Sequence, residues 1–239
     1  MKNYLLLAVL ALASTFSGHV YADTALTSTS SLSCVKNYGY DHAIIRCYIE
    51  AWGRNPGGLI DSNCYQNYLN ARSAGFTSID IYWLPCTGRS TCKSPATQLN
   101  EIITYVGDNN MIVGTLWLDV EVDSAANNWP STSAARTTLQ QFKSALDSSD
   151  WKWGVYSSYY QWQTITGSVS WVLDSSVPLW YAGWDYALSF NNFSPFGGWS
   201  TPTIKQYAGD EVFCSANYDK NYYGQNYCFS LHPFITYLQ

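Results

Sequence analysis

Apolar and polar positions along this chain change period several times, and each change predicts an element. His42 to Tyr48 (HAIIRCY) is a short β-branched run that reads as a strand. After a Pro-Gly-Gly turn at 56–58, Ile60, Cys64, Tyr68 and Ala71 fall three or four apart, a helical face that Gly75 stops. Thr77 to Leu84 (TSIDIYWL) predicts a second strand. Ser94-Pro95 supplies a cap and first-turn pair for a helix whose apolar stripe is Leu99, Ile102, Ile103 and Val106. Met111 to Leu118 (MIVGTLWL) is almost continuously apolar, as expected of a strand buried on both faces. Ala135, Leu139, Phe142 and Leu146 mark another helix, and Trp153 to Ser157, Pro178 to Trp184 and Thr203 to Tyr207 further strands. Strands alternating with helices predict βαβ units and a parallel sheet. Periodicity alone leaves a closed barrel and an open sheet both standing.

Composition narrows the class. The 239 residues carry a net charge of -5, with 12 Lys+Arg against 17 Asp+Glu, which excludes a broad basic footprint for nucleic acid. Aromatic residues make up 17%, which excludes a disordered chain. The N-terminus pairs Lys2 with an apolar stretch, Tyr4 to Ala13, too short to span a bilayer, and small residues follow. It reads as a signal peptide over 1–17, with cleavage after Ser17 or as late as Ala22. Residues 18–239 then form one domain, secreted or lumenal, with no membrane anchor and monomeric. Seven cysteines fit that compartment, and at most six can pair within the chain. Cys86 and Cys92 close a short loop (PCTGRSTC) and are the expected bridge.

Several chemistries are missing from the sequence: there is no HExxH, GxSxG elbow, GxGxxG or P-loop. No cysteine or histidine spacing suits a metal, and no cofactor is implied. Carboxylates are scarce, so one placement stands out. Gly114 to Glu121 (GTLWLDVE) runs an apolar strand into two acids. Residues i and i+2 of a strand share a face at about 6.5–7 Å, so Asp119 and Glu121 would project together from the strand's C-terminal end. That is the end where parallel α/β folds bind ligands. Two neighbouring carboxylates resist ionising together, which suits glycoside hydrolysis, with its proton donor and its counter-charge. Tyr82, Trp83, Tyr156, Trp180, Tyr181 and Trp184 lie in or near strands, where flat rings can hold sugars or fill a core.

The segments Ser33 to Tyr40 with the following AIIR, NARSAGF running into SIDIYWLPC, GTLWLDVE, GVYSSYYQW, PLWYAGWD, Phe193 to Ser200 and IKQYAG together resemble a known family. It is that of the glycoside hydrolase family 25 lysozymes, the Chalaropsis-type muramidases, and in particular their nematode and amoebozoan branch. The resemblance implies a single modified β/α barrel, TIM-barrel-like, that cleaves between N-acetylmuramic acid and N-acetylglucosamine in bacterial peptidoglycan. It makes Glu121 the proton donor beside Asp119. It places a further acid of the last strand at Asp219 and an acid of the first strand at Asp23, and cleavage after Ser17 keeps Gly18 to Ala22 as that strand. It turns Tyr156 into the cleft and lines the muramic acid subsite with Trp180 and Tyr181, with Asp185 and Tyr82 nearby. Two rivals stand beside it: a peptidoglycan-binding, lectin-like barrel without turnover, and a hydrolase of a related polymer such as chitin. An acid cluster of one sign predicts better activity at mildly acidic pH. Asp61, at the start of a surface helix, is expected to be dispensable.

Overall fold

The computed structural model describes residues 18–22, 26–50, 55–123 and 128–224. Among the described residues, nine strands and five helices follow in the order β1 (Gly18–Ala22), α1 (Thr29–Asn37), β2 (Tyr40–Ile49), β3 (Leu59–Ile60), α2 (Cys64–Ser73), β4 (Ser78–Trp83), α3 (Pro95–Asp108), β5 (Leu116–Asp119), α4 (Thr132–Asp147), β6 (Trp153–Ser157), α5 (Tyr159–Thr166), β7 (Leu179–Ala182), β8 (Ile204–Phe213) and β9 (Ala216–Tyr223). The sheet runs β1-β9-β8-β7-β6-β5-β4-β2-β3, and β1 pairs with β2 as well, so eight strands close on themselves and β3 hangs on the edge of β2. Neighbours from β1 through β2, β4, β5, β6, β7 to β8 are parallel. The parallel sheet expected from the sequence needs correcting at two strands: the two-residue β3 is antiparallel to β2, and β9 runs antiparallel to both β8 and β1. Of the two, only β9 belongs to the barrel itself. It returns through a tight turn at Cys214 and Ser215, both at positive φ, and so needs no crossover helix. The result is the modified β/α barrel.

Strand alternation sorts the apolar residues into two cores. Leu116 and Leu118 of β5 face outward and join the layer between sheet and helices with Leu99, Ile102, Leu139 and Phe142. Trp117, between them, faces inward with Ile44, Tyr82, Tyr156, Trp180, Ile204 and Tyr223. The continuous apolarity of this segment thus reflects burial on both faces. The strand is shorter than its apolar run, however. The ladder begins at Leu116, because Met111 to Thr115 carry the chain out of α3. There the Met111 N–H bonds Val106, Gly114 bonds Ile79 and Thr115 bonds the Asp80 side chain, while Ile112 is 73% exposed.

Three disulfides fasten the outside of the barrel: Cys34–Cys214 joins α1 to the β8–β9 turn, Cys47–Cys64 joins β2 to α2, and Cys86–Cys92 closes the loop after β4. Cys228 and the N-terminal apolar stretch lie outside the described residues. Among the described residues, no helix is long and apolar enough to cross a membrane. Asp61 is not a surface position. It is 4% exposed, its Oδ2 accepts a hydrogen bond from Arg46 Nε at 2.8 Å, and its Oδ1 accepts the Asn63 N–H. The surface placement expected of it is thus corrected, and with it the ground for using Asp61 as a neutral control.

Candidate active site

The C-terminal ends of the parallel strands surround a cavity of about 250 Å³. Its walls include Tyr82 at the end of β4, Asp119 and Glu121 at and beyond the end of β5, Tyr156 of β6, Trp180 of β7, Gln206 of β8 and Asp219 of β9. Val120, between the two acids, is buried in the outer layer, so the alternation that turns it outward leaves Asp119 and Glu121 on the cavity side. Asp119 is only 4% exposed. Tyr156 and Trp180 stack edge to face with centroids 4.6 Å apart, and Trp180 meets Tyr82 edge-on at 6.4 Å. These three rings make the cavity's apolar side.

A hydrogen-bond relay runs from this aromatic side to the acids. The Tyr156 hydroxyl and the Trp184 indole N–H both donate to Gln206 Oε1, at 2.9 and 2.6 Å. Gln206 Nε2 donates to Asp219 Oδ2 at 2.8 Å, and the Asp210 N–H donates to Asp219 Oδ1 at 2.8 Å. Asp219 therefore reaches the cavity with its orientation set. Trp180 is fixed in turn, since its indole N–H donates to Asn221 Oδ1 at 2.7 Å. Gln206 escaped the sequence reading because it is a neutral residue inside the apolar-looking run IKQYAG; inward parity on β8 was the signal that could have found it. Trp184 stands at the rim, 58% exposed, with its ring available to a ligand.

The charge of the site is one-sided. Asp119, Glu121, Asp123, Asp210 and Asp219 all line the cavity, and Arg46 is the single cation among the described residues that do. Burial raises the Tyr156 hydroxyl well above its usual range, and the charges of Glu121, Asp119 and Asp219 push in the same direction. Tyr156 is thus a hydrogen-bond donor at any working pH. Among the described residues, no group of three or more His, Cys, Asp or Glu side chains is arranged to hold a metal ion.

Two expected site residues sit elsewhere. Tyr181 turns to the outer side of β7, where its ring packs edge-on against Phe193 at 5.0 Å and against Phe196. The strand period explains this: Trp180 and Tyr181 are adjacent, so they cannot share a face. Asp185 is bound by Lys205, whose buried Nζ lies 2.6 and 2.7 Å from its two oxygens, and it also accepts from Asn192 and the Ala187 N–H. Burial pushes its carboxyl up, but those donors together hold it below the usual carboxylate range. It anchors the loop after β7 rather than lining the cavity. Asp23 lies outside the described residues; Ala22, just before it, pairs with Tyr218 and Ile45. A larger groove, about 770 Å³, lies between α3 and α4, lined by Leu99, Ile103, Gln141, Ala145 and Trp151, but it has no converging acids.

Comparison with known proteins agrees with this architecture. The family model of lysozyme-like protein 1 matches residues 17–207. A probable glycoside hydrolase family 25 lysozyme 2 of Dictyostelium discoideum is 36% identical over 220 residues, covering 92% of this chain and 97% of the relative. Lysozyme-like protein 5 of Caenorhabditis elegans is 36% identical over 197 residues, covering 82% and 86%. The crystal structure of a lysozyme from Streptomyces coelicolor superposes with a TM-score of 0.66 at 22% identity, covering 88% of this chain and 93% of that one, which is a likeness of fold.

Proposed function

The chain belongs to the glycoside hydrolase family 25 lysozymes, and from that premise we propose that it is a secreted or lumenal N-acetylmuramidase acting on bacterial peptidoglycan in digestion or defence. One observation carries the reading: Asp119 and Glu121 open together onto a cavity walled by stacked aromatics and an oriented third acid, at the strand ends where barrel enzymes work. The apolar side formed by Tyr82, Tyr156 and Trp180 suits the face of a sugar ring. Trp184 at the rim suits a neighbouring unit of the same polymer.

In this reading Glu121 protonates the glycosidic oxygen. Positive charge then develops at C1, and Asp119 faces it. Attack on C1 comes either from a water activated by a second carboxylate, which inverts the anomer, or from the substrate's own N-acetyl oxygen steered by Asp119, which retains it. Asp219, and Asp23 by resemblance, complete the acid set. Crowded carboxylates of one sign favour partial protonation, so the rate profile should peak on the acid side of neutrality.

The test is hydrolysis of purified bacterial walls with the new reducing ends identified. Wild type should release muramic acid ends, and the anomer of the first product chooses between the two routes. Glu121→Gln should bind walls comparably and turn over ~10²–10⁴-fold more slowly, the usual cost of losing general acid catalysis. Equal turnover by both would remove Glu121 as proton donor. Wall binding by both with no product from either would favour the binding protein, and glucosamine ends alone a chitinase-like activity.

A further inference from the structure

A second acidic group lies within reach of the Glu121 charge. Glu50 follows the last residue of β2 and is 4% exposed, and its Oε2 has no hydrogen-bond partner among the described residues. Its carboxyl is in hydrogen-bond contact with Asp123 and with Asn128, both from the segment that follows β5. Asn128 is the joint of this arrangement. Its Oδ1 accepts the Asp123 N–H at 2.8 Å, and its Nδ2 donates to the Glu121 carbonyl at 3.0 Å as well as meeting Glu50. The Trp129 indole N–H donates to the same Glu121 carbonyl at 2.7 Å. The backbone that presents Glu121 is therefore clamped by Asn128 and Trp129, and Asn128 is clamped by Glu50 and Asp123.

We infer that Glu50 is a positioning residue: the Glu50–Asp123 carboxyl pair shares one proton, and that proton holds the segment bearing Glu121 in place. The inference rests on the assignment of Glu121 as proton donor. Two carboxyl groups can hydrogen-bond to one another only while one carries a proton. Once both ionise, a buried like-charge contact replaces the hydrogen bond. The groups acting on Glu50 agree in direction. Burial raises its carboxyl most, the hydrogen bond and charge of Asp123 raise it further, Asn128 opposes them, and the Glu121 charge adds a smaller push, leaving it at about 8. Ionised Glu50 would also help keep Glu121 protonated. That is the weakest of these influences, so loss of position outweighs it.

The sign of the pH effect follows. Between its ordinary value of 4.5 and about 8, Glu50 holds a proton in the folded chain that it would lose on unfolding. Its contribution to stability therefore falls as pH rises through that window. Glu50→Gln keeps the hydrogen-bonding group and removes the titration; Glu50→Ala removes both.

The experiment compares the full-length wild type, Glu50→Gln and Glu50→Ala from pH 5 to 9. It reads kcat/KM on bacterial walls and backbone hydrogen exchange in peptides covering residues 118–131, corrected for intrinsic rates. The ratio of Glu50→Gln to wild-type kcat/KM should rise at least fivefold between pH 6 and 9. Wild-type exchange protection should fall over the same range while that of Glu50→Gln stays level, and Glu50→Ala should be slow throughout with no shift of its alkaline limb. A flat ratio, or protection that changes equally in wild type and Glu50→Gln, overturns the inference. If none of the proteins hydrolyses walls but the protection differs as stated, the muramidase reading fails and the proton-sharing pair stands. Should Glu50→Gln not fold, Asp123→Asn makes the same substitution on the other partner, with the same expected and overturning results.

Discussion

Carboxylates occupy both ends of the barrel interior, and their surroundings differ. At the lower end Asp80 of β4 is enclosed by donors. The Thr115 N–H reaches Oδ1 at 2.8 Å, the Trp117 indole reaches Oδ2 at 2.8 Å, and His42 Nε2 lies 3.2 Å from Oδ2. Ser78 holds the far side of the His42 ring through Nδ1 at 2.7 Å. At the upper end Asp119, Glu121, Asp123 and Asp219 face one another across a cavity. Asp80 and Asp119 are equally buried, each 4% exposed, so burial does not separate them. The sign of the neighbours does. Donors around Asp80 stabilise one charge and make it a joint between β4, β5 and β2. Acids around Asp119 and Glu121 leave negative charge that a bound proton or a neighbouring cation can relieve.

Two substitutions test that contrast most strongly. Asp119→Asn keeps shape but removes the charge that the proposed mechanism sets against C1. Turnover on walls should fall ~10²–10³-fold, as for loss of a preorganised electrostatic group, with the thermal midpoint little changed. Asp80→Ala should do the reverse. It strands the Trp117 indole and the Thr115 N–H inside the barrel, at a cost of about 2–4 kcal/mol read by urea unfolding. Turnover per folded molecule should stay within about twofold. If Asp80→Ala slowed turnover as much as Asp119→Asn, the two ends would not be separate in role.

The upper end was more legible in the sequence than the lower. Asp119 and Glu121 announce themselves because an apolar strand ends in two acids, and strand parity alone puts them on one face. Trp153 to Ser157 is a strand in both readings because all its positions are buried. Asp80 was invisible as a joint: its partners His42, Thr115 and Trp117 come from other strands and connections. Glu50 was missed for the same reason, since Asp123 and Asn128 meet it only once the barrel closes. β9 (ANYDKNYY) carries no apolar period because two of its inward positions are polar: Asp219 and Asn221 bond Gln206 and Trp180, while Tyr223 joins the inner aromatic cluster. Conversely, Met111 to Val113 look like strand because they are apolar, yet they lie before the ladder and Ile112 is exposed, so an apolar run by itself fixes neither pairing nor burial.

The smallest expected effect lies on the relay between the aromatic wall and the acids. Tyr156→Phe keeps the ring against Trp180 and removes only the hydroxyl that donates to Gln206 Oε1. Trp184 still donates to that oxygen, so Gln206 should hold its amide toward Asp219. The loss is then that of one hydrogen bond with its acceptor still partnered, roughly 0.5–1.5 kcal/mol. In kcat/KM this is about two- to twelvefold at 1.4 kcal/mol per factor of ten. Because burial and the nearby carboxylates keep the hydroxyl protonated far above neutrality, the ratio of Tyr156→Phe to wild type should stay constant from pH 5 to 9. That constancy separates Tyr156 from Glu50, whose substitution should matter more as pH rises. A loss beyond a hundredfold, or a ratio that drifts with pH, would mean that the hydroxyl touches the reacting atoms, and Tyr156 would then belong with Asp119 and Glu121 rather than with the wall that holds them.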